Sequence, residues 1–132
     1  MPITIGHHAG LWGEIETFRD DIVTIGNYFV LAAGATIITH CPIRLYKENI
    51  KINIGDYVYI GKKAVVLPGV NIGNNVMVGA GSIVTHDLPS DSICAGNPCV
   101  FKRPLEGKEL LRFQKLAEQG KVGNGIEPDY SS

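Results

Sequence analysis

From Ile54 onward an aliphatic residue recurs at every sixth position: Ile54, Ile60, Val66, Ile72, Val78 and Val84. Glycine follows four of them directly, as Gly55, Gly61, Gly73 and Gly79. Four positions beyond each aliphatic residue stands a second one, mostly small or branched: Val58, Ala64, Val70, Val76, Ser82 and Leu88. The same period runs earlier through Ile25, Leu31, Ile37 and Ile43, with Phe29, Ala35 and Cys41 as companions, and more faintly from Ile5-Gly6 to Leu11. A period of six fits neither a helix, at about 3.6, nor a half-buried strand, at about two. It fits a three-sided coil in which each hexad supplies one short strand and one corner. The aliphatic residues point inward and stack coil on coil, and glycine suits corners whose backbone angles a Cβ would oppose. The pattern predicts an all-β chain, a parallel β-helix of hexapeptide repeats.

The breaks carry information too. Between Ile43 and Ile54 the register slips by one residue, and the polar run Arg44-Leu45-Tyr46-Lys47-Glu48-Asn49 reads as a loop from a corner, inserted over 44–53. Ile5 to Ile25 is two residues longer than one coil, which predicts a small irregularity between Trp12 and Asp21. After Asp87-Leu88-Pro89-Ser90 and Ala95-Gly96-Asn97-Pro98 the repeats stop. Leu110, Leu111, Phe113, Leu116 and Ala117 then follow helical spacing, with Gly120 as a stop. The expected organisation is a β-helix domain over 1–103, a short C-terminal α-helix over 104–120 and a flexible tail over 121–132.

Composition narrows the function. At 132 residues the chain is one domain. A net charge of −1 gives no basic field for nucleic acid or an anionic membrane. No apolar stretch is long enough to span a bilayer, and Met1-Pro2-Ile3-Thr4-Ile5-Gly6 lacks the charged and apolar regions of a signal peptide. Cys41, Cys94 and Cys99 are odd in number and without CxxC spacing, as expected of reduced thiols in a cytoplasmic protein.

Five segments carry a resemblance: Ile38-Thr39-His40-Cys41-Pro42, Ile54 to Gly61, Val66 to Gly73, Val78 to Thr85 and Ala95-Gly96-Asn97-Pro98. In this order, and over about Ile22 to Arg103, they resemble the hexapeptide-repeat acyltransferases of the galactoside, maltose and xenobiotic acetyltransferase branch. The resemblance implies a left-handed helix, a homotrimer with active sites between subunits, and acetyl-CoA bound in the groove between solenoids. It further implies acetyl transfer to a saccharide or nucleotide-sugar hydroxyl, as in polysaccharide biosynthesis, with no metal.

His40 matches the family's catalytic histidine, and imidazole has the pKa that a general base needs. Tyr59 stands where the family commonly has tryptophan beside the pantetheine. Lys62, Ala80 and Thr85 match groove positions, and Lys102 and Arg103 fall where a basic residue meets the CoA phosphates. One departure concerns the acceptor. The family's asparagine, about one coil before the histidine, is replaced on a colinear count by Trp12, with Glu14 and Glu16 nearby to hold sugar hydroxyls or orient His40. The amino-terminal helical segment of the galactoside and maltose enzymes is also missing. His7, His8 and His86 read as surface residues, His86 being close enough to the CoA groove to count as a minor candidate, and Cys41 reads as core packing rather than a nucleophile.

Other readings stay open. One is N-acetylation of an amino sugar, and another is a non-catalytic hexapeptide scaffold. A zinc enzyme of the γ-carbonic anhydrase type would need three convergent ligands, and His40, His86 and the His7-His8 pair lack that family's spacing. Serine acetyltransferases carry a helical domain and a Gly-rich segment, neither of which is present in this sequence.

Overall fold

The computed structural model describes residues 3–17, 20–39 and 50–122. His40, Cys41, Ile43, most of the expected loop and residues 123–132 lie outside them. Four coils follow one another. The first is β1 (Ile3–Ile5), β2 (Gly10–Leu11) and β3 (Glu14–Glu16), the second β4 (Ile22–Ile25), β5 (Val30–Leu31) and β6 (Thr36–Ile38). The third is β7 (Lys51–Ile54), β8 (Val58–Ile60) and β9 (Val65–Val66), the fourth β10 (Asn71–Ile72), β11 (Val76–Val78) and β12 (Ile83–Val84). Then come β13 (Ser92–Gly96), β14 (Cys99–Pro104) and helix α1 (Gly107–Glu118).

Like strands stack into three walls: sheet A is β1-β4-β7-β10, sheet B is β2-β5-β8-β11-β13-β14, and sheet C is β3-β6-β9-β12. Every pairing is parallel except β13 with β14. The hexad residues Ile25, Ile54 and Ile72, Leu31, Ile60 and Val78, and Ile37, Val66 and Val84 all point into one core. Their companions Phe29, Ala35, Val58, Ala64, Val70, Val76 and Leu88 fill its corners. At about 1.5–3 kcal/mol per large aliphatic side chain, this column is the main source of stability.

Three expectations are corrected. Ile43 was counted as a hexad position, but the strand paired with β4 is β7, with Ile54 opposite Ile25. From the second coil to the third one offset is 29 residues, against 18 from the third to the fourth. The loop also ends earlier than 53, because Lys51–Ile54 is already strand. The first coil hides two compensating changes: the corner with Trp12 and Gly13 is two residues short, and the corner after β3 is four long.

The third correction concerns glycine. The left-handed conformation falls two positions later, on His8, Tyr28, Tyr57, Lys63 and Asn75, and also on Asp91, with φ between 55° and 59°. The Ile-Gly glycines serve close approach instead. A Cβ on Gly26 would lie 2.2 Å from Asp56 Oδ1, and one on Gly55 2.2 Å from Asn74 Oδ1. Those oxygens form a ladder. The N–H of His7 donates to Asn27, that of Asn27 to Asp56, that of Asp56 to Asn74 and that of Asn74 to Ser90 Oγ, at 2.7–2.8 Å. Each corner thus satisfies the backbone of the coil before it.

α1 is narrower than the expected 104–120 and packs on the outside of sheet B. Phe113 and Ala117 bury against Ala32, Tyr59, Met77 and Ile93, with Leu105 and Val122, in a second core. The helix ends in a Schellman motif, with Gly120 N–H to the Ala117 carbonyl, Lys121 N–H to that of Leu116, and φ 69° at Gly120.

Candidate functional site

The outer face of sheet C is the wall that carries the expected chemistry, and α1 leaves it uncovered. Outward along it stand Glu14 and Glu16 of β3, Thr36 and Ile38 of β6, Val65 of β9 with Leu67 beyond it, and Ile83 of β12 followed by Thr85. The later coils make the face apolar, and the first makes it acidic.

His40 lies outside the described residues, but its approach is fixed. Thr39 is buried, and both its N–H (3.1 Å) and Oγ1 (3.4 Å) donate to the Glu16 carbonyl. Glu16 is thereby next to the chain entering the histidine segment, with its side chain exposed on the same face as Ile38.

The cofactor candidates divide. Lys62 and Ala80 are exposed and stacked at the corner between sheets B and C, where the Gly81 N–H donates to the Lys62 carbonyl. Thr85 lies at the far end of the same wall, with its hydroxyl 2.6 Å from His86 Nδ1. Lys102 is exposed on β14. Two others are placed differently from expectation. Tyr59 has no exposed surface because α1 covers it, so its ring faces Met77 and the helix rather than an open groove. Arg103 turns its guanidinium fork on Glu109 of α1, at 2.6 and 3.0 Å. That hydrogen-bonded fork holds the Glu109 carboxyl below its ordinary pKa.

Trp12 is also corrected. Its indole folds back over Gly10 on the outer side of sheet B, where a Gly10 Cβ would lie 2.3 Å from the ring. Glu14 and Glu16 point out from sheet C, so the three expected acceptor residues do not share a face. Cys94 and Cys99 are free and buried. Burial pushes the Cys94 thiol up, and burial with Cys94 nearby pushes Cys99 up to about 12. Among the described residues no three His, Cys, Asp or Glu side chains group as metal ligands. None of their helices is long and apolar enough to cross a membrane.

Sequence reasoning missed the corner ladder and the left-handed column, although both leave a signal. Three of the five Ile-Gly pairs are followed by Asn27-Tyr28, Asp56-Tyr57 or Asn74-Asn75, a short acceptor and then a flat polar residue.

Comparison with known proteins agrees with this architecture. The family model for bacterial transferase hexapeptide repeats (six repeats) matches residues 51–86. Galactoside O-acetyltransferase of Escherichia coli is 39% identical over 120 residues, covering 86% of this chain and 59% of that protein. A hexapeptide-repeat acetyltransferase of Vibrio cholerae, solved with acetyl-CoA, superposes with a TM-score of 0.69 at 27% identity, over 80% of this chain and 62% of its own. A galactoside acetyltransferase solved with coenzyme A gives 0.64 at 30%, over 78% and 65%. The chain belongs to the hexapeptide-repeat acyltransferases, and its fold is their left-handed parallel β-helix. Within that class the matched curated relatives include two galactoside O-acetyltransferases, and the chain spans 55% and 59% of their length.

Proposed function

We propose that the protein moves an acetyl group from acetyl-CoA to a hydroxyl of a saccharide or nucleotide-sugar, in the cytoplasm, as a homotrimer. The observation that carries this reading is the 39% identity to a galactoside O-acetyltransferase over 120 residues. The apolar outer face of sheet C, which α1 does not cover, supports assembly, since its half-buried band of Ile38, Val65, Leu67 and Ile83 offers apolar surface to a neighbour. Sites between neighbours would then bring the histidine segment of one subunit against the Lys62–Ala80 corner of the next.

In the reaction His40 takes the proton of the acceptor hydroxyl as its oxygen attacks the thioester carbon. The tetrahedral oxyanion collapses, the carbon–sulfur bond breaks, and the CoA thiolate takes up the proton from His40. Thr39, tied to the Glu16 carbonyl, positions the base. Glu14 and Glu16 offer acceptors for sugar hydroxyls. Lys62, Ala80 and Thr85 line the pantetheine, and Lys102 meets the CoA phosphates. Arg103 reaches a phosphate only by leaving Glu109.

The test is release of free CoA thiol on mixing acetyl-CoA with galactosides and other sugars. Acceptor-dependent release is expected, with a loss of about 100-fold or more in His40→Ala. Full turnover in that variant would remove His40 as the base.

A further inference from the structure

Helix α1 lies on the outside of sheet B, and sheet C carries the expected chemistry; the outside of sheet A belongs to neither. One outward column runs up it through Thr4, Thr24, Asn53 and Asn71, in register from β1 to β10, and ends on Asp87, all of them exposed. Beside the upper half of this column lies a groove of about 480 Å³. Asn53, Asn71 and Asp87 line it from the column, and Asn74 and Ser90 from the corner towards sheet B. Gly73, between Asn71 and Asn74 in the chain, keeps the space open, since a Cβ there would lie 2.3 Å from Ser90 Oγ.

The polar side chains hold one another in place. Asn53 Nδ2 donates to Asn71 Oδ1 at 2.9 Å, Asn71 Nδ2 to Asp87 Oδ2 at 3.5 Å, and the Asn71 N–H to Asp87 Oδ1 at 2.8 Å. At the corner Asn74 Oδ1 accepts the Asp56 N–H and Ser90 Oγ the Asn74 N–H, both at 2.8 Å. These bonds orient the amides without exhausting them. Each Nδ2 carries two hydrogens, so Asn53 and Asn71 keep one apiece. Asn53 Oδ1 and Asn74 Nδ2 have no hydrogen-bond partner among the described residues. Groups fixed before a ligand arrives cost little to order when it binds.

Charge narrows what such a groove takes. No lysine or arginine lines it, so it offers an anion no counter-charge, and the single carboxylate of Asp87 is too little for a hard cation. Neutral amides, each with a donor and an acceptor, suit adjacent hydroxyls, one donating and one accepting. They recur at the coil spacing of about 4.8 Å, along an open wall, which suits a chain of rings rather than one enclosed ring.

We propose that this groove binds an uncharged oligosaccharide through its hydroxyls, as a holding site separate from acetyl transfer. The choice of a saccharide among hydroxyl-rich ligands rests on the function proposed above; the binding itself needs neither His40 nor acetyl-CoA.

The test is calorimetric titration of galactotetraose, without acetyl-CoA, into the full chain and into Asn53→Leu/Asn71→Leu, circular dichroism confirming that the variant keeps the fold. Saturable binding is expected in the parent, with affinity lower by about tenfold or more in the variant. In the parent the side-chain amide NMR signals of Asn53, Asn71 and Asn74 should shift as the tetrasaccharide is added. Absence of saturable binding overturns the proposal. So does binding that the variant keeps in full, or that leaves those amide signals unmoved. The groove and the reaction fail separately: groove binding without acetyl transfer would remove only the proposed reaction, and transfer without groove binding would remove only the groove.

Discussion

The backbone N–H of Asp56 donates to Oδ1 of Asn74, one coil above, at 2.8 Å. That oxygen also occupies the space where Gly55 lacks a side chain, so ladder and glycine are two halves of one device. Asn74→Ala is expected to lower unfolding free energy by about 1 kcal/mol, the net value of one hydrogen bond. Gly55→Ala should cost about 3 kcal/mol, the upper end of overpacking. The double variant should recover only part of it, because the new Cβ would still lie 2.7 Å from the Gly73 carbonyl oxygen. Urea titrations of the three variants check this, and full recovery would mean that the side chain alone sets the glycine.

The Arg103–Glu109 fork ties β14 to α1 at an exposed site, with 29% and 39% of the two side chains accessible. Screening limits such a pair to about 1 kcal/mol or less. Because the folded Glu109 pKa is lowered, its stabilisation is present above the ordinary carboxylate pKa and is lost as pH falls through the lowered one. Arg103→Ala should therefore be less stable than the parent at neutral pH, and the two should converge in acid. Thermal melts across pH 3–7 (roughly the carboxylate range and above) test this, and a gap that widens in acid would contradict it.

The same pair changes what is expected of cofactor affinity. With Arg103 committed to Glu109, Lys102→Ala should weaken acetyl-CoA binding more than Arg103→Ala does, by calorimetric titration. Glu109→Gln should leave affinity unchanged or tighten it. A larger loss from Arg103→Ala would show that the cofactor draws the guanidinium away from the helix.

Tyr59 is a test of packing rather than of binding. Tyr59→Ala removes a fully buried ring between sheet B and α1, at a cost of about 3–5 kcal/mol. The first sign should be a fall in melting temperature with loss of helical circular dichroism. An unchanged melt with weakened acetyl-CoA binding would instead put the ring in the groove.

Cys94 and Cys99 should resist alkylation in the folded protein and react once it is unfolded. Both thiols are buried, and at pH 8 a group titrating at about 12, as Cys99 does, supplies almost no thiolate. Peptide mass spectrometry after iodoacetamide separates them from Cys41. Rapid native labelling of Cys99 would mean that the β13–β14 hairpin opens.

The inward residues were legible because a stacked core repeats the same demand at every coil: Ile54, Ile60 and Val66 answer it again as Ile72, Val78 and Val84. Outward positions carry no such period. Tyr59 and Trp12 both point away from the core of the coils, and what covers one and not the other is a helix some fifty residues away, invisible to local spacing. Arg103 is a similar case, since its partner Glu109 belongs to the next element and local spacing gives no sign of the pair. Ile54 is the residue that stacks on Ile25, and spacing alone does not choose it, since only the strand pairing shows which aliphatic residue opens the third coil.

The reversal at the top of sheet B has a consequence for self-association. A stack of parallel strands ending in an open rung invites another molecule to add its own, and so to polymerise end to end. Here β14 runs antiparallel to β13 and finishes in Pro104, while the chain crosses over into α1. A parallel rung from a second molecule finds the wrong strand polarity on that wall, and at Pro104 no N–H to meet it. Growth along the axis is blocked there, so copies of this solenoid are steered to meet side by side.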